Sequence, residues 1–580
     1  MILVVQKINF INLILIFILK IFFKKIFFFN SSVNLRSKTF FYFLKKINII
    51  WVSYEDFYVK NHTIIKRKAI SFSQSFATEL SEKLWIDNFE DNFFSKKQFS
   101  MLINNLLLSF SEKYFEYKKF AEEYVDEGQK IFLVMNNNFV TKRIFKNTRF
   151  VNLNIFDFTF LKFFIKSPKI FLKKKNLKKN ESNNFGKKVK EFKNFKVIFF
   201  PHKGINQGYL IKDYYYSKKN TFLNSNNILH IEWNLNEVDD HSKKYYEDND
   251  IPVIEWGEIK SDPISKFIFD KKLILFFFKT ILNCGIILSF SVILETLKTI
   301  IAKNKIIRFK EANLFLVGYE YLFPTYLNIA IKNANKKIIT VRDRRLLDKL
   351  GFESNYDMYF TTYRSNLPNT EYIGNIRLRN FSMDKNINLQ NEKKKLKKIN
   401  CLVLIDPSME DWYTNGRHLR LNYKNNIKCL EDILSVSKRK KEINFFIKCK
   451  NNKWETLKIF SKTLGEIKET NNLEILNNHQ WQPDKGIRYF DFAIGRYTSL
   501  MDDLVFLGKP VIVFDDDLYP YDYLKINREL FAKDQKELIN KIEELLSNPD
   551  SYISKMNEWK EEVNSIFNKN KFEKKLVSFL

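Results

Sequence analysis

Residues 489–517, YFDFAIGRYTSLMDDLVFLGKPVIVFDDD, contain the clearest secondary-structure pattern in this chain. The stretch opens with an apolar run at 490–495, typical of a buried strand, and closes with a second such run at 510–514. Between them, Ser499 is a good helix N-cap, and Asp502 follows three residues later as in a capping box. The pattern therefore predicts a strand, a turn, a helix and a strand, which is the repeating unit of a parallel sheet covered by helices.

Apolar strands and helical segments alternate in the same way upstream and downstream of this stretch. They indicate an α/β protein with two Rossmann-like domains that face a cleft. We predict an N-terminal domain at 1–383, a polar linker at 384–398 and a C-terminal domain at 399–580. The N-terminal domain would carry a helical insertion at about 54–130 and an apolar helix at about 267–300.

Two apolar segments raise the question of a membrane anchor. In the first, residues 8–29, lysines and asparagines interrupt the apolar run, so we interpret it as alternating helix and strand. The second, residues 272–297, contains Lys279, Asn283 and Gly285, and we interpret it as a buried or membrane-lying helix. Entry into the membrane stays open as the alternative for both segments.

The turn from Arg496 to Ser499 is the first candidate site. Ligands of parallel sheets bind outside the carboxyl ends of the strands, and this turn follows such an end. Free N–H groups at a helix start attract phosphate, and Arg496 adds a bidentate donor. Asp503, one turn into the helix, could accept ribose hydroxyls. The alternative is an ordinary capped helix without a ligand.

The same stretch resembles the donor-nucleotide half of GT-B glycosyltransferases, above all relatives such as CDP-glycerol glycerophosphotransferases and polysaccharide-biosynthesis transferases. The matching residues are Asp491, Ile494, Thr498, Ser499, Asp503, Gly508, Lys509, Pro510 and Val511. The resemblance implies that Thr498 and Ser499 contact the donor diphosphate and that Asp503 contacts the ribose. The Glu-x7-Glu pair of retaining GT-B enzymes is absent, since Gly495 occupies its first position, and the stereochemical outcome stays open.

The resemblance implies further donor contacts upstream. Lys448 and Lys450, in the segment FFIKCK at 445–450, follow a strand as the family's basic phosphate-binding loop does. His418 lies in a basic loop after the first strand of the C-terminal domain. In GT-B folds that loop reaches the donor pyrophosphate.

The loop PHKG, residues 201–204, is the second candidate site. It follows an apolar strand and looks like the His-Gly loop of the glycerophosphotransferases. The resemblance implies that His202 is the catalytic base near the acceptor, and a histidine pKa of about 6.5 suits that task. Lys203 would contact a phosphate of the acceptor or leaving group. The alternative is a surface or structural histidine.

Composition limits the partners and cofactors. The formal net charge is +31, and the basic loop at 166–196 suits an anionic membrane surface, although a lysine-rich proteome would also explain the charge. We find no nucleic-acid-binding signature and expect no nucleic acid partner. The four cysteines lie far apart and the six histidines lack ligand spacing, so we expect neither a metal site nor a cofactor. We expect a cytoplasmic protein, with a peripheral place on the cytoplasmic membrane face left open.

These features together predict a transferase of surface polysaccharide biosynthesis. It would move a sugar or polyol-phosphate group from a nucleotide-linked donor to a glycan or lipid-linked acceptor. Two alternatives stay open: a nucleotide-sugar 2-epimerase-like enzyme on the same fold, and a non-catalytic membrane-surface protein. An acceptor-free change of the donor sugar would indicate the first alternative, and the absence of nucleotide affinity would indicate the second.

Overall fold

The structure is a computed structural model of the 580-residue chain. It describes residues 2–5, 23, 25–30, 46, 49–85, 95–126, 129–134, 150–152, 195–201, 226–262, 270–318, 323–342, 356–362, 368–374, 398–405, 423–449, 453–456, 460–476, 487–496, 498–514, 526–564 and 568–580.

The described strands form three sheets of five, seven and six strands. Every neighbouring pair of strands runs parallel. Parallel neighbours need long crossovers, and several of the described connections between these strands contain helices. The predicted α/β class with Rossmann-like sheets is confirmed, and the structure adds a third sheet to the two that the sequence predicted.

The first sheet is built by the N-terminal part of the chain. Its strands are β1 (Ile2–Val5), β2 (Lys25–Asn30), β3 (Ile49–Ser53), β4 (Ile131–Val134) and β5 (Phe150–Asn152), in the order β3-β2-β1-β4-β5. Two long helices connect β3 to β4: α1 (Tyr54–Leu84) and α2 (Lys96–Tyr124). They confirm the helical content predicted for 54–130, where both helices belong to the crossover within this sheet.

The second sheet follows in the chain. Its strands are β6 (Val197–Phe200), β7 (Ile228–Glu232), β8 (Val253–Glu255), β9 (Leu314–Val317), β10 (Lys337–Arg342), β11 (Met358–Thr361) and β12 (Thr370–Tyr372), in the order β12-β11-β10-β9-β6-β7-β8. Its helices are α3 (Asp240–Asp248), α4 (Lys271–Ile306) and α5 (Thr325–Asn333). The first strand, β6, lies inside the sheet between β7 and β9. Strands β6 and β9 therefore flank the point where the strand order reverses.

Helix α4 joins the first two sheets. Leu273 and Phe276 pack in one core with residues of α1 and α2, and the rings of Phe276 and Phe99 lie 5.3 Å apart. The helix is bent, because the Ser289 hydroxyl donates to the Thr280 carbonyl at 2.9 Å, whereas a straight helix would separate these residues by about 13 Å. Among the described residues, no helix is long and apolar enough to cross a membrane.

The third sheet lies in the predicted C-terminal domain. Its strands are β13 (Ile399–Leu404), β14 (Ile443–Lys448), β15 (Leu473–Ile475), β16 (Phe492–Gly495), β17 (Val511–Phe514) and β18 (Phe531–Ala532), in the order β15-β14-β13-β16-β17-β18. Its helices are α6 (Tyr423–Arg439), α7 (Ser461–Lys468), α8 (Ser499–Phe506), α9 (Gln535–Ser547), α10 (Pro549–Ser554) and α11 (Asn557–Val563). This is the strand order of the classic doubly wound fold, with its switch point between β13 and β16.

The last helix, α12 (Lys569–Val577), packs on the second sheet and not on the third. The Phe572 ring lies 4.8 Å from that of Phe360 on β11. Lys571 forms an ion pair of 2.6 Å with Glu371, and the Asn568 amide donates to the carbonyl of Ile373 at 2.8 Å. The chain thus returns to the second sheet after it has completed the third.

The division into domains stays a prediction. The predicted linker at 384–398 lies outside the described residues except for residue 398. The sequence pattern at 453–464 predicts one continuous helix, and this prediction is wrong in extent: the structure has a 3-10 turn at Lys453–Thr456, and α7 extends from Ser461 to Lys468. Trp454 in the 3-10 turn and Phe460 next to α7 are both fully buried, so both parts pack on the same core.

Candidate functional site

Strands β13 and β16 approach each other very closely at their carboxyl ends. Leu404 is opposite Gly495 in the register. A Cβ atom built on Gly495 would lie 2.1 Å from the carbonyl oxygen of Leu404, and Gly495 has a φ of +153°. Only glycine fits here without a shift of the backbone. At the switch point of the third sheet, the carboxyl ends of β13 and β16 are therefore packed closely together. Ligands of doubly wound sheets bind at such a switch point.

Lys448 lies at the same edge. It is the last residue of β14 and is opposite Leu404 on the other side of β13. Its ammonium group donates to the carbonyl oxygen of Cys449. Lys448, Leu404 and Gly495 thus lie in one row across the ends of three neighbouring strands. The Lys448 ammonium is therefore two strands away from the turn that follows Gly495.

Helix α8 begins at this edge, one residue away from the predicted cap. Thr498 is the N-cap, and its hydroxyl accepts from the Leu500 amide at 3.2 Å. The predicted N-cap at Ser499 is wrong, since Ser499 is the first residue of the helix. The capping box is wrong as well, because the Asp502 carboxylate accepts instead from the indole Nε1 of Trp559 at 2.8 Å.

Arg496 is held beside the switch point by helix α6. Its Nη1 donates to the Asn426 Oδ1 at 3.0 Å, and Asn426 is fully buried. The guanidinium has five donors in a planar fork. An anion between Arg496 and the start of α8 would meet a permanent positive charge and the positive end of the helix dipole.

Asp503 faces the interior. Its side chain is 0% exposed, and Asp502 beside it is 8% exposed. Helix α8 therefore turns its acidic pair toward the core and presents its start to the edge. The structure brings Arg496, Thr498 and Lys448 to one edge of the sheet, with Asp503 buried behind them.

Four of the predicted site residues lie outside the described residues: His202, Lys203, His418 and Lys450. For His202 the neighbouring residue is informative. Pro201 follows β6 at the switch point of the second sheet, where the Gly318 amide donates to the carbonyl of Phe200 at 2.9 Å. A Cβ on Gly318 would lie 3.1 Å from the carbonyl oxygen of Pro201. The chain thus enters the PHKG loop from a closely packed switch point.

A buried polar cluster on β7 was missed by the sequence analysis. His230 and Glu232 point to the same face of the strand, and the Tyr246 hydroxyl donates to Glu232 at 2.8 Å. Burial lowers the pKa of His230 to about 3, and burial raises the pKa of Tyr246. The signal in the sequence was the pair of polar residues in the strand ILHIE. Among the described residues, no cluster of side chains could hold a metal ion.

No protein-family model matches this chain, and no curated protein matches it. Several solved structures are similar to it. A UDP-GlcNAc 2-epimerase from Neisseria meningitidis, bound to UDP-GlcNAc, is 12% identical, with 66% of this chain and 100% of that chain covered and a TM-score of 0.42. The wall teichoic acid polymerase TagF, in a variant soaked with CDPG, is 14% identical over 72% of this chain and 96% of that chain, with a TM-score of 0.36. A glycosyltransferase from Rickettsia africae ESF-5 is 12% identical over 67% of this chain and 98% of that chain, with a TM-score of 0.36.

These structures include the kinds of enzyme that the C-terminal motif resembles. Identities of 12–14% and TM-scores of 0.36–0.42 leave the activity of this chain undetermined.

Proposed function

We propose that this protein is a transferase. It moves a sugar or polyol-phosphate group from a nucleotide-activated donor to a surface polysaccharide or a lipid-linked acceptor. The observation that supports the proposal is the edge of the third sheet, where Arg496, Lys448 and the start of α8 lie next to the switch point between β13 and β16. A diphosphate is the ligand that suits two cations and the positive end of a helix dipole.

In this proposal the donor phosphates bind at that edge. Negative charge increases on the leaving nucleotide as its bond to the transferred group breaks. Arg496, Lys448 and the positive end of the α8 dipole stabilise that charge, because they are in place before the reaction begins. The donor is a substrate, and the reaction needs no cofactor.

The acceptor hydroxyl is the nucleophile. His202 takes its proton as the acceptor oxygen attacks the anomeric carbon of a sugar donor or the phosphorus of a polyol-phosphate donor. The electron pair of the broken bond leaves with the nucleotide. Lys203 contacts a phosphate of the acceptor or leaving group. This placement is supported by Pro201, which precedes His202 in the chain and lies at the switch point of the second sheet.

Asp503 has the least direct support. The resemblance assigns it to the ribose, and its carboxylate is fully buried in the structure. A ribose contact therefore requires that α8 move when the donor binds.

Calorimetry with CDP-, UDP-, GDP- and CMP-linked donors tests the donor site. Arg496→Ala should weaken the affinity for the bound donor roughly ten- to hundred-fold, because hydrogen bonds to charged groups contribute about 1.5–3 kcal/mol. Asn426→Ala keeps the guanidinium and removes its anchor, so it should have a smaller effect. Arg528→Ala is the matched control, since Arg528 precedes β18 at the opposite end of the sheet. Unchanged affinity in Arg496→Ala would exclude the donor site.

Product analysis by NMR tests the reaction. His202→Ala should keep the donor affinity and abolish transfer, and full activity in this variant would remove His202 from the mechanism. If the wild-type protein changes the configuration of the donor sugar without any acceptor, the protein is an epimerase and not a transferase.

A further inference from the structure

Helix α4 presents an apolar face to solvent. The residues are Ile274, Leu275, Phe278, Ile281 and Leu282, with exposed fractions of 37%, 49%, 61%, 46% and 83%. Spacings of three, four, seven and eight residues place them on one side of a helix. Of the twelve large apolar side chains that are exposed among the described residues, five lie in these nine positions. Single exposed apolar side chains are common, but a cluster of this kind marks an interaction surface.

The opposite side of the same helix is already packed. Leu273, Phe276 and Thr280 are at most 2% exposed and face the core that α1 and α2 share with α4. The Lys279 ammonium donates to the carbonyl oxygen of Trp85, after the end of α1, at 2.9 Å. The helix is thus fixed in place, so the apolar face is a stable surface of the folded protein.

The bend of α4 places this face next to a corner. The hydrogen bond from Ser289 to Thr280 shows that the chain changes direction between these two residues. Leu282, the most exposed of the five, lies within that interval. A bilayer can accept a corner with one apolar face to a shallow depth, without a helix that spans it.

The charges around the face favour an anionic surface. Lys271 and Lys272 lie at the start of the helix, whereas Lys279 is held on the packed side by Trp85. The nearest acid is the N-cap Asp270, whose carboxylate accepts from the amides of Lys272 and Leu273. A second copy of the chain that bound through this face would bring Lys271 and Lys272 of both copies together. The net charge of +31 adds to this repulsion. A phospholipid surface with acidic headgroups offers both the apolar interior and the complementary charge.

We propose that the face formed by Ile274, Leu275, Phe278, Ile281 and Leu282 inserts into the interface of an anionic phospholipid bilayer. Lys271 and Lys272 contact the acidic headgroups beside it. The inference is independent of the proposed transferase reaction, because it concerns a different surface and binding can be measured without any substrate.

Co-sedimentation of the full-length protein with vesicles tests the inference. The wild type should bind vesicles of phosphatidylcholine mixed with phosphatidylglycerol and should bind pure phosphatidylcholine more weakly. The double variant Phe278→Glu/Leu282→Glu should lose at least about ten-fold in partitioning, since two carboxylates replace the inserted side chains. Ile307→Glu is the matched control: Ile307 is 50% exposed at the other end of the same helix, outside the apolar face, and the variant should bind as the wild type does.

Three results would overturn the inference. The first is a wild-type protein that binds neither kind of vesicle. The second is a double variant that binds anionic vesicles as tightly as the wild type. This result would mean that another part of the chain binds the vesicles, such as the basic segment at 166–196. The third is a wild-type dimer that the double variant converts to a monomer without a change in vesicle binding. Circular dichroism should show unchanged helix content in both variants, because all the substituted side chains are exposed.

Discussion

Gly495→Ala tests the close approach of strands β13 and β16 at the proposed donor edge. Gly495 ends β16 opposite Leu404, and its φ is +153°. The added methyl group would lie 2.1 Å from the carbonyl oxygen of Leu404 and 2.9 Å from its Cβ. Both neighbours are held by the sheet, so no flexible side chain can move away to make room.

The cost follows from these distances. Real Cβ contacts are almost never shorter than 3.0 Å, so the strand ends must separate by about 1 Å. An alanine at this φ adds backbone strain of about 1–3 kcal/mol, and overpacking adds about 1–3 kcal/mol. We therefore expect Gly495→Ala to destabilise the third sheet by about 2–6 kcal/mol. The same shift moves Arg496 and the start of α8, so donor affinity should fall as well.

Two other glycines serve as controls. Gly465 lies inside α7 with open space around its Cβ position, and alanine there should stabilise the protein by about 0.5–1 kcal/mol. Gly508 also has open space but a φ of +72°, so alanine should cost about 1–2 kcal/mol. Scanning calorimetry should rank the transition of the third sheet in the order Gly465→Ala, wild type, Gly508→Ala and Gly495→Ala. If Gly495→Ala is no less stable than Gly508→Ala, the two strand ends do not approach as closely as the structure shows.

Three further predictions concern buried groups. Burial lowers the pKa of His230 to about 3 in the folded state, against 6.5 in the unfolded chain, so the unfolded state takes up the proton first as the pH falls. The free energy of unfolding should therefore decrease as the pH drops from 6.5 toward 3, by at most about 1.4 kcal/mol per pH unit. Urea titrations of His230→Gln at several pH values should lack this contribution to the slope. Phe572→Ala should weaken the attachment of α12 by about 3–5 kcal/mol, and limited proteolysis should then cleave the C-terminal segment faster. Trp559→Phe should cost about 1–3 kcal/mol, because the Asp502 carboxylate loses a buried donor, and the double variant Trp559→Phe/Asp502→Leu should recover part of the lost melting temperature.

Strands whose sequence is a short apolar run with clear ends were predicted most accurately. The apolar runs in the sequence predict strands at Val197–Phe200, Leu314–Val317 and Ile443–Lys448, and the structure has strands with these bounds. Val197–Phe200 and Leu314–Val317 are buried on both faces of a parallel sheet, so their sequences are continuous apolar runs with clear ends. Local pattern alone is enough to locate such segments.

The grouping of strands into sheets could not be predicted in the same way. Ile2–Val5 and Val197–Phe200 have the same apolar character, and each is flanked by neighbours on both sides in its own sheet. Nothing local to either strand says whether the chain continues one sheet or begins another. The division of the predicted N-terminal domain into the first and second sheets therefore became visible only in the strand pairing. The same limit hid the return of α12 to the second sheet.

The edge that carries the candidate site was predictable, and the orientation of the side chains behind it was not. Lys448 is the last residue of one parallel strand and Arg496 follows another. Parallel strands end at one edge, so the common location of these residues follows from chain order alone. The bond from Arg496 to Asn426 joins residues 70 positions apart, and no local pattern indicates it.

The burial of Asp503 could not be predicted from the local sequence either. It distinguishes donor contacts at the start of α8 from a contact with the Asp503 carboxylate. The pattern in the sequence gives the start of α8 correctly to within one residue, whereas the direction of each side chain depends on the neighbouring helix that supplies Trp559. With Asp503 at 0% exposed, a donor can meet Arg496 and the first amides of α8 without disturbing the core, but it can reach the carboxylate only if α8 moves. Recognition of the phosphates should therefore precede recognition of the ribose, and Arg496 should dominate the affinity for a nucleotide. An Asp503→Asn variant that loses more donor affinity than Arg496→Ala would mean that α8 shifts when the donor binds.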